Sequence, residues 1–250
     1  MDERFANKYA ELEENHWWFK GRREILQTLL QKHLNWDSVE QLLEVGVSSG
    51  VNLYSLYPLA QNKLFGVEPF EPNRKIADSR GDIDVYAGTA ETLPEEIQSR
   101  QFDVITMFDV LEHTEGDVFV LETRRNKLSD DGKLILTVPA YNFLWGEQDI
   151  VSHHYRRYTK GMLENHLHSA GYRVSYASYF NTFLFPPIVL FRLIDRLKTK
   201  EEYDEFGNFR IGNPLMDKWL YRIFRNEKNW LKYLRFPFGI SLFTIATPKW

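Results

Sequence analysis

A glycine-containing turn and a later carboxylate are the residues whose types and spacing point most directly to chemistry. Gly46 and Gly50 lie in LLEVGVSSG, between a predicted strand and a predicted helix. Glycine lets the backbone approach a ligand closely, and the N-terminus of the following helix favours an anionic group. Glu68 ends the next predicted strand, where a carboxylate can accept hydrogen bonds from both hydroxyls of a ribose. Each feature alone is typical of ordinary turns and strand ends, but together they predict a nucleoside ligand.

The spacing of this turn separates it from two common phosphate-binding loops. A P-loop needs a Lys-Ser/Thr pair after its last glycine, and the turn has none, which excludes that class. The dinucleotide fingerprint Gly-x-Gly-x-x-Gly is poorly matched by Gly-x-x-x-Gly. A nicotinamide-dependent oxidoreductase is therefore the least favoured class among those that a nucleoside site allows.

The segment SHHYRRYTK, at 152–160, is the second place with side chains suited to chemistry. It follows the predicted strand GKLILTVP, so we expect it near the carboxyl ends of the strands, where ligands bind in open α/β sheets. His154 or His153 is the candidate general base, because imidazole titrates near neutral pH. Asp149 is a weaker candidate. An ordinary structural loop is the competing interpretation, which we rank slightly below a catalytic role for His154.

Two arginines and a tyrosine in the same segment are candidates for substrate binding. Arg156 or Arg157 can hold a phosphate or a carboxylate by paired hydrogen bonds. The alternative, of nearly equal weight for both arginines, is a loop in which they cap backbone carbonyl groups and Tyr158 packs. The sequence leaves this choice open.

An aromatic cluster near the N-terminus, HWWF, predicts part of a lid. Three adjacent aromatic residues on one helix cannot all face the same core, so at least one should contact a ligand, a partner or another element. Trp18 is the candidate for substrate contact. The safer interpretation is that the aromatic residues hold the N-terminal helices against the edge of the sheet. Arg22 and Arg23 then face either the pocket or solvent.

No metal site is recognised from sequence spacing. His166 and His168 are two residues apart on a predicted helix, so they face different sides and cannot bind one ion together. His113, after the fourth predicted strand, is expected to be structural or to border a cofactor. The chain has no cysteine, which excludes Cys-based zinc and iron–sulfur sites and thiolate nucleophiles. We therefore predict that the protein binds no metal.

Alternating strands and helices must position these side chains. Short apolar runs predict strands at 42–45, 63–68, 84–88, 102–109, 132–139, 172–179 and 239–247. The first six strands alternate with helix-compatible segments, which predicts βαβ units and a parallel α/β sheet. These segments lie near 50–60, 72–79, 91–99, 117–128 and 159–170. The final two strands form a hairpin-like pair interrupted by about 60 residues, too few for a comfortable independent core.

We therefore expect a single domain over 1–250. Its predicted parts are an N-terminal helical lid at 1–40, a cofactor-binding core at 41–180, a helical insertion at 181–238 and a final strand at 239–250.

Composition and charge narrow the class of protein. Of the 250 residues 43% are hydrophobic, which is enough for a full core. The formal net charge of −4 argues against general nucleic-acid binding. The N-terminus has no apolar signal region, so we expect a cytoplasmic location. The charge is uneven, because residues 181–250 contain 12 basic and 7 acidic residues, or +5.

An amphipathic segment at 215–235 lies in this basic region. Its six cations follow one another at intervals of three or four residues, which predicts a single stripe on a helix. They are Lys218, Arg222, Arg225, Lys228, Lys232 and Arg235. Trp and Leu residues occupy the opposite side. A covering helix with a solvated face is the plainest interpretation, but peripheral contact with an anionic membrane is a serious alternative.

Several of these motifs together resemble a known family. LLEVGVSSG, the GVEP around Glu68, GTAETLP and FDVITMFDVLEH resemble the successive motifs of class I S-adenosylmethionine-dependent methyltransferases. ENHWWFKGRRE, VPAYNFLWGEQDIVSHHYRRYTK and FPFGISLFTIATPK resemble a bacterial branch of uncharacterised methyltransferases, many of which are encoded near glycan-synthesis enzymes. The resemblance implies a seven-stranded Rossmann-like sheet in the order 3-2-1-4-5-7-6, with strand 7 antiparallel.

The resemblance also implies a cofactor, S-adenosyl-L-methionine, and a place for it. It assigns Glu44, Gly46 and Gly50 to the methionine end of the cofactor and Glu68 to the ribose hydroxyls. The family's motifs place these residues around the carboxyl ends of the first two strands.

Further positions matched to the family border the adenine and the methyl group. Thr89 and Ala90 would lie beside the adenine, and Asp109 beside the cofactor where the fourth strand ends. Two positions depart from the family's pattern. Ser48 stands where a second glycine is usual, and Thr89 stands where an aspartate usually meets the adenine.

Three functional hypotheses follow. The leading one is a methyltransferase that acts on a small polar acceptor at oxygen, the acceptor being a sugar, a nucleotide sugar or a lipid-linked glycan. A nucleoside-binding regulatory module without turnover is second, because of Ser48 and Thr89. An oxidoreductase is third. The sequence does not specify the oligomeric state.

Overall fold

Seven strands form one sheet in the part of the chain that the computed structural model describes, residues 3–58, 63–81, 83–195 and 213–249. The strands are β1 Leu42–Val45, β2 Leu64–Glu68, β3 Val85–Ala87, β4 Phe102–Phe108, β5 Leu128–Pro139, β6 Tyr172–Phe180 and β7 Ser241–Pro248. Their order is β3-β2-β1-β4-β5-β7-β6. β7 runs antiparallel to β5 and β6, whereas the other neighbouring strands pair in parallel. The predicted fold class is therefore confirmed.

Helices cover both faces of this sheet. They are α1 Glu3–Asn15, α2 Trp17–His33, α3 Val51–Ser55, α4 Glu71–Asp78, α5 Glu95–Gln98, α6 Asp117–Arg125, α7 Glu147–Val151, α8 Lys160–Ser169, α9 Phe185–Asp195 and α10 Pro214–Leu231. α5, α6 and α8 contribute to the hydrophobic cluster on one face, and α2, α3, α4 and α10 to the cluster on the other. All four residues of β1 are buried because the strand is covered on both sides.

Local sequence determines where several helices begin and end. α2 begins at Trp17 because the His16 side chain accepts a hydrogen bond from the amide of Trp18. α3 is shorter than the predicted helix at 50–60 and ends three residues before Pro58, since the residues next to a proline disfavour helix. α5 begins only after Pro94, so the helix predicted at 91–99 is also shorter.

α10 is part of the predicted insertion and packs against α2, one of the N-terminal helices. Phe224 of α10 is fully buried and stacks on Phe180 of β6, and Trp17 of α2 meets it edge-on. Lys228 donates a hydrogen bond to Glu24 of α2. Residues 196–212 of the predicted insertion lie outside the described residues. Within the described ranges, none of the helices has the length and apolar character needed to cross a bilayer.

Candidate active site

The turn after β1 has the backbone conformation that the sequence predicts for close approach to a ligand. Gly46 has a φ of 76° and Gly50 a φ of 81°, both in the left-handed region that favours glycine. A Cβ at Gly46 would lie 2.5 Å from Cγ2 of Val110. Ser48 has a φ of 51°, so the serine that replaces the usual second glycine adopts a left-handed conformation as well.

Glu68 lies directly against this turn. Its Oε2 accepts a hydrogen bond from the amide of Ser48 at 2.8 Å, and its Oε1 one from the amide of Phe70 at 3.1 Å. The side chain is buried, and burial raises its pKa. Because each carboxylate oxygen has two lone pairs, both oxygens can accept a further hydrogen bond from a ribose hydroxyl. The structure thus brings the predicted turn and the predicted carboxylate together.

Glu44 is a buried carboxylate in β1 with one unsatisfied oxygen. The residue is 1% exposed, and its Oε2 has no hydrogen-bond partner among the described residues. Burial raises its pKa to about 8. An orphaned buried oxygen calls for a ligand donor. The ammonium group at the methionine end of the expected cofactor is a donor that fits.

Asp109 ends β4 in an ion pair with an arginine of α2. Its Oδ2 lies 2.7 Å from Nη2 of Arg22, and its Oδ1 accepts a hydrogen bond from Thr137 at 2.9 Å. Arg22 is 4% exposed and also donates to Thr137. Of the two orientations that the sequence left open for Arg22, the structure therefore selects the interior. Asp109 has a φ of 56°, a conformation that aspartate tolerates better than most residues.

Two residues of α1 lie beside the turn after β1, although no sequence motif indicated them. Glu13 accepts hydrogen bonds from the Ser49 hydroxyl at 2.5 Å and from its amide at 3.2 Å. The half-buried Tyr9 has its pKa raised by desolvation and by the carboxylates of Glu13, Asp109 and Glu68. α1 therefore lies over the glycine-containing turn.

Thr89 and Ala90, the residues expected beside the adenine, occupy the loop after β3. The hydroxyl of Thr89 accepts hydrogen bonds from the amides of Glu91 and Thr92, at 3.2 and 3.0 Å. Ala90 is buried in the core cluster on one face of the sheet. The Thr89 hydroxyl therefore stabilises its own loop, and its adenine contact stays a prediction.

Asp149 and His154 form the centre of the predicted acceptor segment. Nδ1 of His154 lies 2.9 Å from Oδ1 of Asp149, which is fully buried. Burial alone would raise the pKa of Asp149, but the hydrogen bond from His154 and the guanidinium of Arg157 outweigh it and lower this pKa to about 2. His153 is exposed and has a φ of 54°. The structure thus distinguishes the two neighbouring histidines.

The three candidate substrate residues of this segment have internal partners. Arg157 donates to Asp149 through Nε at 2.7 Å and Nη2 at 2.9 Å, and to the carbonyl of Ala140. Tyr158 is fully buried and donates to Asp117 at 2.9 Å. Arg156 pairs with Asp117 at 3.1 Å. The substrate contact predicted for Tyr158 is wrong, because its side chain is inaccessible, and the structural alternative describes Arg157 better.

Trp18 and its aromatic neighbours point in three directions, as expected for adjacent residues on a helix. Trp17 meets Phe224 of α10, and Phe19 meets Tyr9 of α1 with ring centroids 5.9 Å apart. The guanidinium of Arg22 lies 5.4 Å from the centroid of a Trp18 ring. Trp18 is therefore beside the Arg22–Asp109 pair, and its substrate contact stays a prediction.

The prediction of no metal rested on residues close in sequence, and the fold adds a group that spacing did not reveal. One ligand atom from each of Glu112, His113 and His154 lies within 4.8 Å of the others. Glu112 and His113 belong to a short turn after β4, whereas His154 follows α7.

Comparison with solved structures supports the fold. A possible histamine N-methyltransferase from Thermotoga maritima is 20% identical, with 99% of this chain and 97% of that chain covered and a TM-score of 0.59. An S-adenosylmethionine-dependent methyltransferase from Clostridium acetobutylicum is 10% identical, with 98% and 99% covered and a TM-score of 0.58. A complex of the Haloferax volcanii Trm112 methyltransferase activator with a putative methyltransferase matches at 14% identity, with 98% and 94% covered and a TM-score of 0.57.

The sequence itself matches a family model. No curated protein matches the chain. Residues 15–177, about two thirds of the chain, match the model described as a methyltransferase domain. This range includes the turn after β1, Glu68, Asp109 and the Asp149–His154 pair. The chain belongs to the methyltransferase-domain family and is an S-adenosylmethionine-dependent methyltransferase.

Proposed function

We propose that this methyltransferase acts on a hydroxyl oxygen of a small polar acceptor of the glycan class, meaning a sugar, a nucleotide sugar or a lipid-linked glycan. The observation that carries the proposal is the Asp149–His154 pair, because a hydroxyl acceptor must lose a proton and an imidazole held by a carboxylate can take it. The glycan class is supported by the resemblance of segments 14–24, 138–160 and 236–249 to the bacterial branch described above.

When bound, S-adenosylmethionine supplies a methyl group that is already activated, so the protein mainly has to align the acceptor and exclude water. Glu68 suits the ribose hydroxyls, and the unsatisfied oxygen of Glu44 suits the ammonium group. Glu13 and Tyr9 of α1 cover the turn where the cofactor is expected. These residues bind and shield the cofactor without taking part in bond breaking.

His154 is the residue we assign to proton removal. The Asp149 carboxylate holds Nδ1 of His154, which fixes the ring and leaves Nε2 free to take a proton. Nε2 of His154 would accept the hydroxyl proton as the acceptor oxygen takes the methyl group from the cofactor. Asp149 stays ionised, because its pKa is lowered, and balances the charge of the imidazolium.

Formation of S-adenosylhomocysteine with candidate acceptors tests the acceptor class. Sugars, nucleotide sugars and lipid-linked glycans are compared with amines and carboxylic acids of similar size. We expect product with at least one glycan-type acceptor and none with the amines. Turnover confined to amines or carboxylic acids would contradict the proposal.

The variant His154→Ala tests the residue assignment. We expect turnover to fall by about 10²–10⁴-fold, the usual contribution of a general base. Affinity for S-adenosylhomocysteine should stay unchanged, since the cofactor residues are intact. His153→Ala is the matched control, because His153 is adjacent and exposed. Equal turnover in the two variants would remove His154 from the mechanism.

A second proposal concerns where the enzyme meets its acceptor: the surface of α9 and α10 contacts an anionic membrane at the inner face of the bilayer. Large apolar side chains are exposed on both helices. They are Leu190, Phe191, Leu193 and Ile194 of α9, and Leu215, Met216, Trp219, Ile223 and Trp230 of α10. A surface that combines exposed Trp and Leu with neighbouring cations suits a membrane interface.

The structure corrects the predicted arrangement of charges on this segment. α10 ends at Leu231, so Lys232 and Arg235 lie beyond its last turn. Lys228 is turned toward Glu24, and Arg235 lies 4.8 Å from the ring centroid of Tyr176. The six cations therefore do not form one continuous stripe.

The residues on the predicted apolar side of the segment are divided between buried and exposed positions. Leu231 packs against the domain, while Trp219 and Trp230 remain exposed. Arg222 lies 5.8 Å from the ring centroid of Trp219, so a cation accompanies the exposed apolar residues. This division supports the proposed contact better than a fully docked helix would.

Sedimentation with liposomes, with and without acidic lipid, tests this contact. We expect the enzyme to pellet with acidic liposomes and the double variant Trp219→Ser/Trp230→Ser to stay in the supernatant. Phe119→Ser is the matched control, because Phe119 is an exposed aromatic residue of α6. Equal recovery in the supernatant with both lipid compositions would refute the proposal.

A further inference from the structure

The cluster of Glu112, His113 and His154 lies at the carboxyl end of β4, next to the site already described. Glu112 follows Asp109 by three residues, and burial, followed by the nearby charge of Asp109, raises the pKa of Glu112. The rings of His113 and His154 meet edge-on with centroids 4.6 Å apart. The amide of Tyr155 donates to the carbonyl of Glu112 at 2.8 Å, which fixes the two chain segments side by side.

Glu112 provides the observation that calls for a ligand. Its side chain is fully buried, and neither carboxylate oxygen has a hydrogen-bond partner on any other described residue. A buried carboxylate without a partner is costly, so native proteins pair such groups or use them to bind a metal. The candidate ligand atoms within 4.8 Å of it are ring nitrogens of His113 and His154. Imidazole nitrogens and carboxylate oxygens can bind the same metal ion, whereas a neutral imidazole does not neutralise a carboxylate.

Both histidines are held by groups behind them, as in known metal sites. Nδ1 of His154 lies 2.9 Å from Asp149, which is itself anchored by Arg157 and by the amide of Gly146. The ring of His113 interacts with the backbone of Ser152. A carboxylate or carbonyl that fixes one ring nitrogen orients the other one toward a metal.

We propose that Glu112, His113 and His154 bind one divalent transition-metal ion. Two imidazoles and one carboxylate suit Zn²⁺ and its neighbours in the first transition row better than Mg²⁺ or Ca²⁺, which prefer oxygen ligands. Ligand atoms at the usual distances around a tetrahedral ion are about 3.4 Å apart. The three ligand atoms lie within 4.8 Å of one another, so they must approach by at most about 1.4 Å on binding. Part of His113 faces solvent, which gives the ion a path of entry.

The ion would have a coordination position open for the acceptor, because three protein ligands leave the fourth position of a tetrahedral site free. This role rests on the proposed function. An acceptor hydroxyl bound to the ion loses its proton more readily, since a divalent cation lowers the pKa of a bound oxygen. In the metal-bound enzyme Nε2 of His154 would be a ligand, and the hydroxyl proton would pass to water. The transfer to Nε2 proposed above applies to the metal-free enzyme.

Metal binding is tested on the full chain without a histidine tag, after dialysis against a chelator. Calorimetry with Zn²⁺ and absorption spectroscopy with Co²⁺ measure affinity, stoichiometry and ligand geometry. We expect one ion per chain and a visible Co²⁺ spectrum with imidazole ligands. Glu112→Gln, which preserves the shape of the side chain, should weaken Zn²⁺ binding at least tenfold, whereas His153→Asn should leave it unchanged.

Two results would overturn the proposal: no Zn²⁺ binding by the parent chain, or equal weakening in Glu112→Gln and His153→Asn. Thermal unfolding without metal checks that Glu112→Gln is folded. His113→Asn is a second variant with the same expected loss. Calorimetry with S-adenosylhomocysteine is run on the same samples, so that a failed cofactor site is distinguished from a failed metal site.

Discussion

Glu68 is the predicted ribose-binding residue, and it lies against the turn after β1. It ends β2 and already accepts hydrogen bonds from the amides of Ser48 and Phe70. It was predicted from its position after the glycine-containing turn, and the structure places it against that turn. Local sequence was sufficient here because the order of strand, turn and strand determines which carboxyl ends lie side by side.

Glu68→Ala should weaken the binding of S-adenosylhomocysteine. Hydrogen bonds to a charged acceptor contribute about 1.5–3 kcal/mol each, so we expect at least a tenfold higher Kd by calorimetry. Glu71→Ala is the control, because Glu71 is an exposed acidic residue of the neighbouring α4. An unchanged Kd for Glu68→Ala would contradict its assignment to the ribose.

Glu44 should make the stability of the protein fall as pH rises. Burial raises its pKa from 4.5 to about 8, so between these values the folded protein keeps a proton that the unfolded chain has released. The folded state then binds more protons, and the free energy of unfolding decreases with increasing pH.

Glu44→Gln should remove this dependence. The variant is expected to gain stability relative to the parent chain between pH 5 and pH 8, by at least about 1 kcal/mol. Urea unfolding of the cofactor-free protein at both pH values measures the difference. The exposed Glu40→Gln is the control. A parallel pH dependence in the parent and Glu44→Gln would contradict the assignment.

Among the helices, α1 is the one whose packing surface the sequence determines least. The sequence predicted a helical lid at 1–40, but a helical segment alone does not specify the surface on which it packs. Only the structure shows Glu13 on the hydroxyl and amide of Ser49. The same reason explains why the Glu112–His113–His154 cluster was missed, since its members come from two segments far apart in sequence.

The contact between α1 and the turn should limit entry of the cofactor. Glu13→Gln weakens a hydrogen bond that involves a charge, so opening of α1 costs less and association of S-adenosylhomocysteine should be about tenfold faster. Stopped-flow tryptophan fluorescence measures this rate. Glu11→Gln, an exposed change on the same helix, is the control. Association no faster in Glu13→Gln than in Glu11→Gln would contradict the gating role of α1.

For the whole molecule, the topology was predictable and the site only in part. The strand order and the antiparallel β7 agree with the expectation from the family resemblance, and the alternation of apolar runs independently indicated a layered α/β fold. Tyr158 was assigned to the substrate but is buried on Asp117, because a sequence pattern does not tell which side of a loop faces the core. Side-chain pairing across distant segments requires the folded structure.

S-adenosylmethionine is expected to bind between the turn after β1 and the end of β2, and every role assigned above requires this. A crystal structure of the full chain with S-adenosylhomocysteine tests this claim most directly. We expect the ribose hydroxyls within hydrogen-bond distance, about 2.6–3.2 Å, of the Glu68 carboxylate, and the amino-acid end beside Glu44 and Gly46. A ligand bound elsewhere, or a ribose that does not contact Glu68, would contradict it.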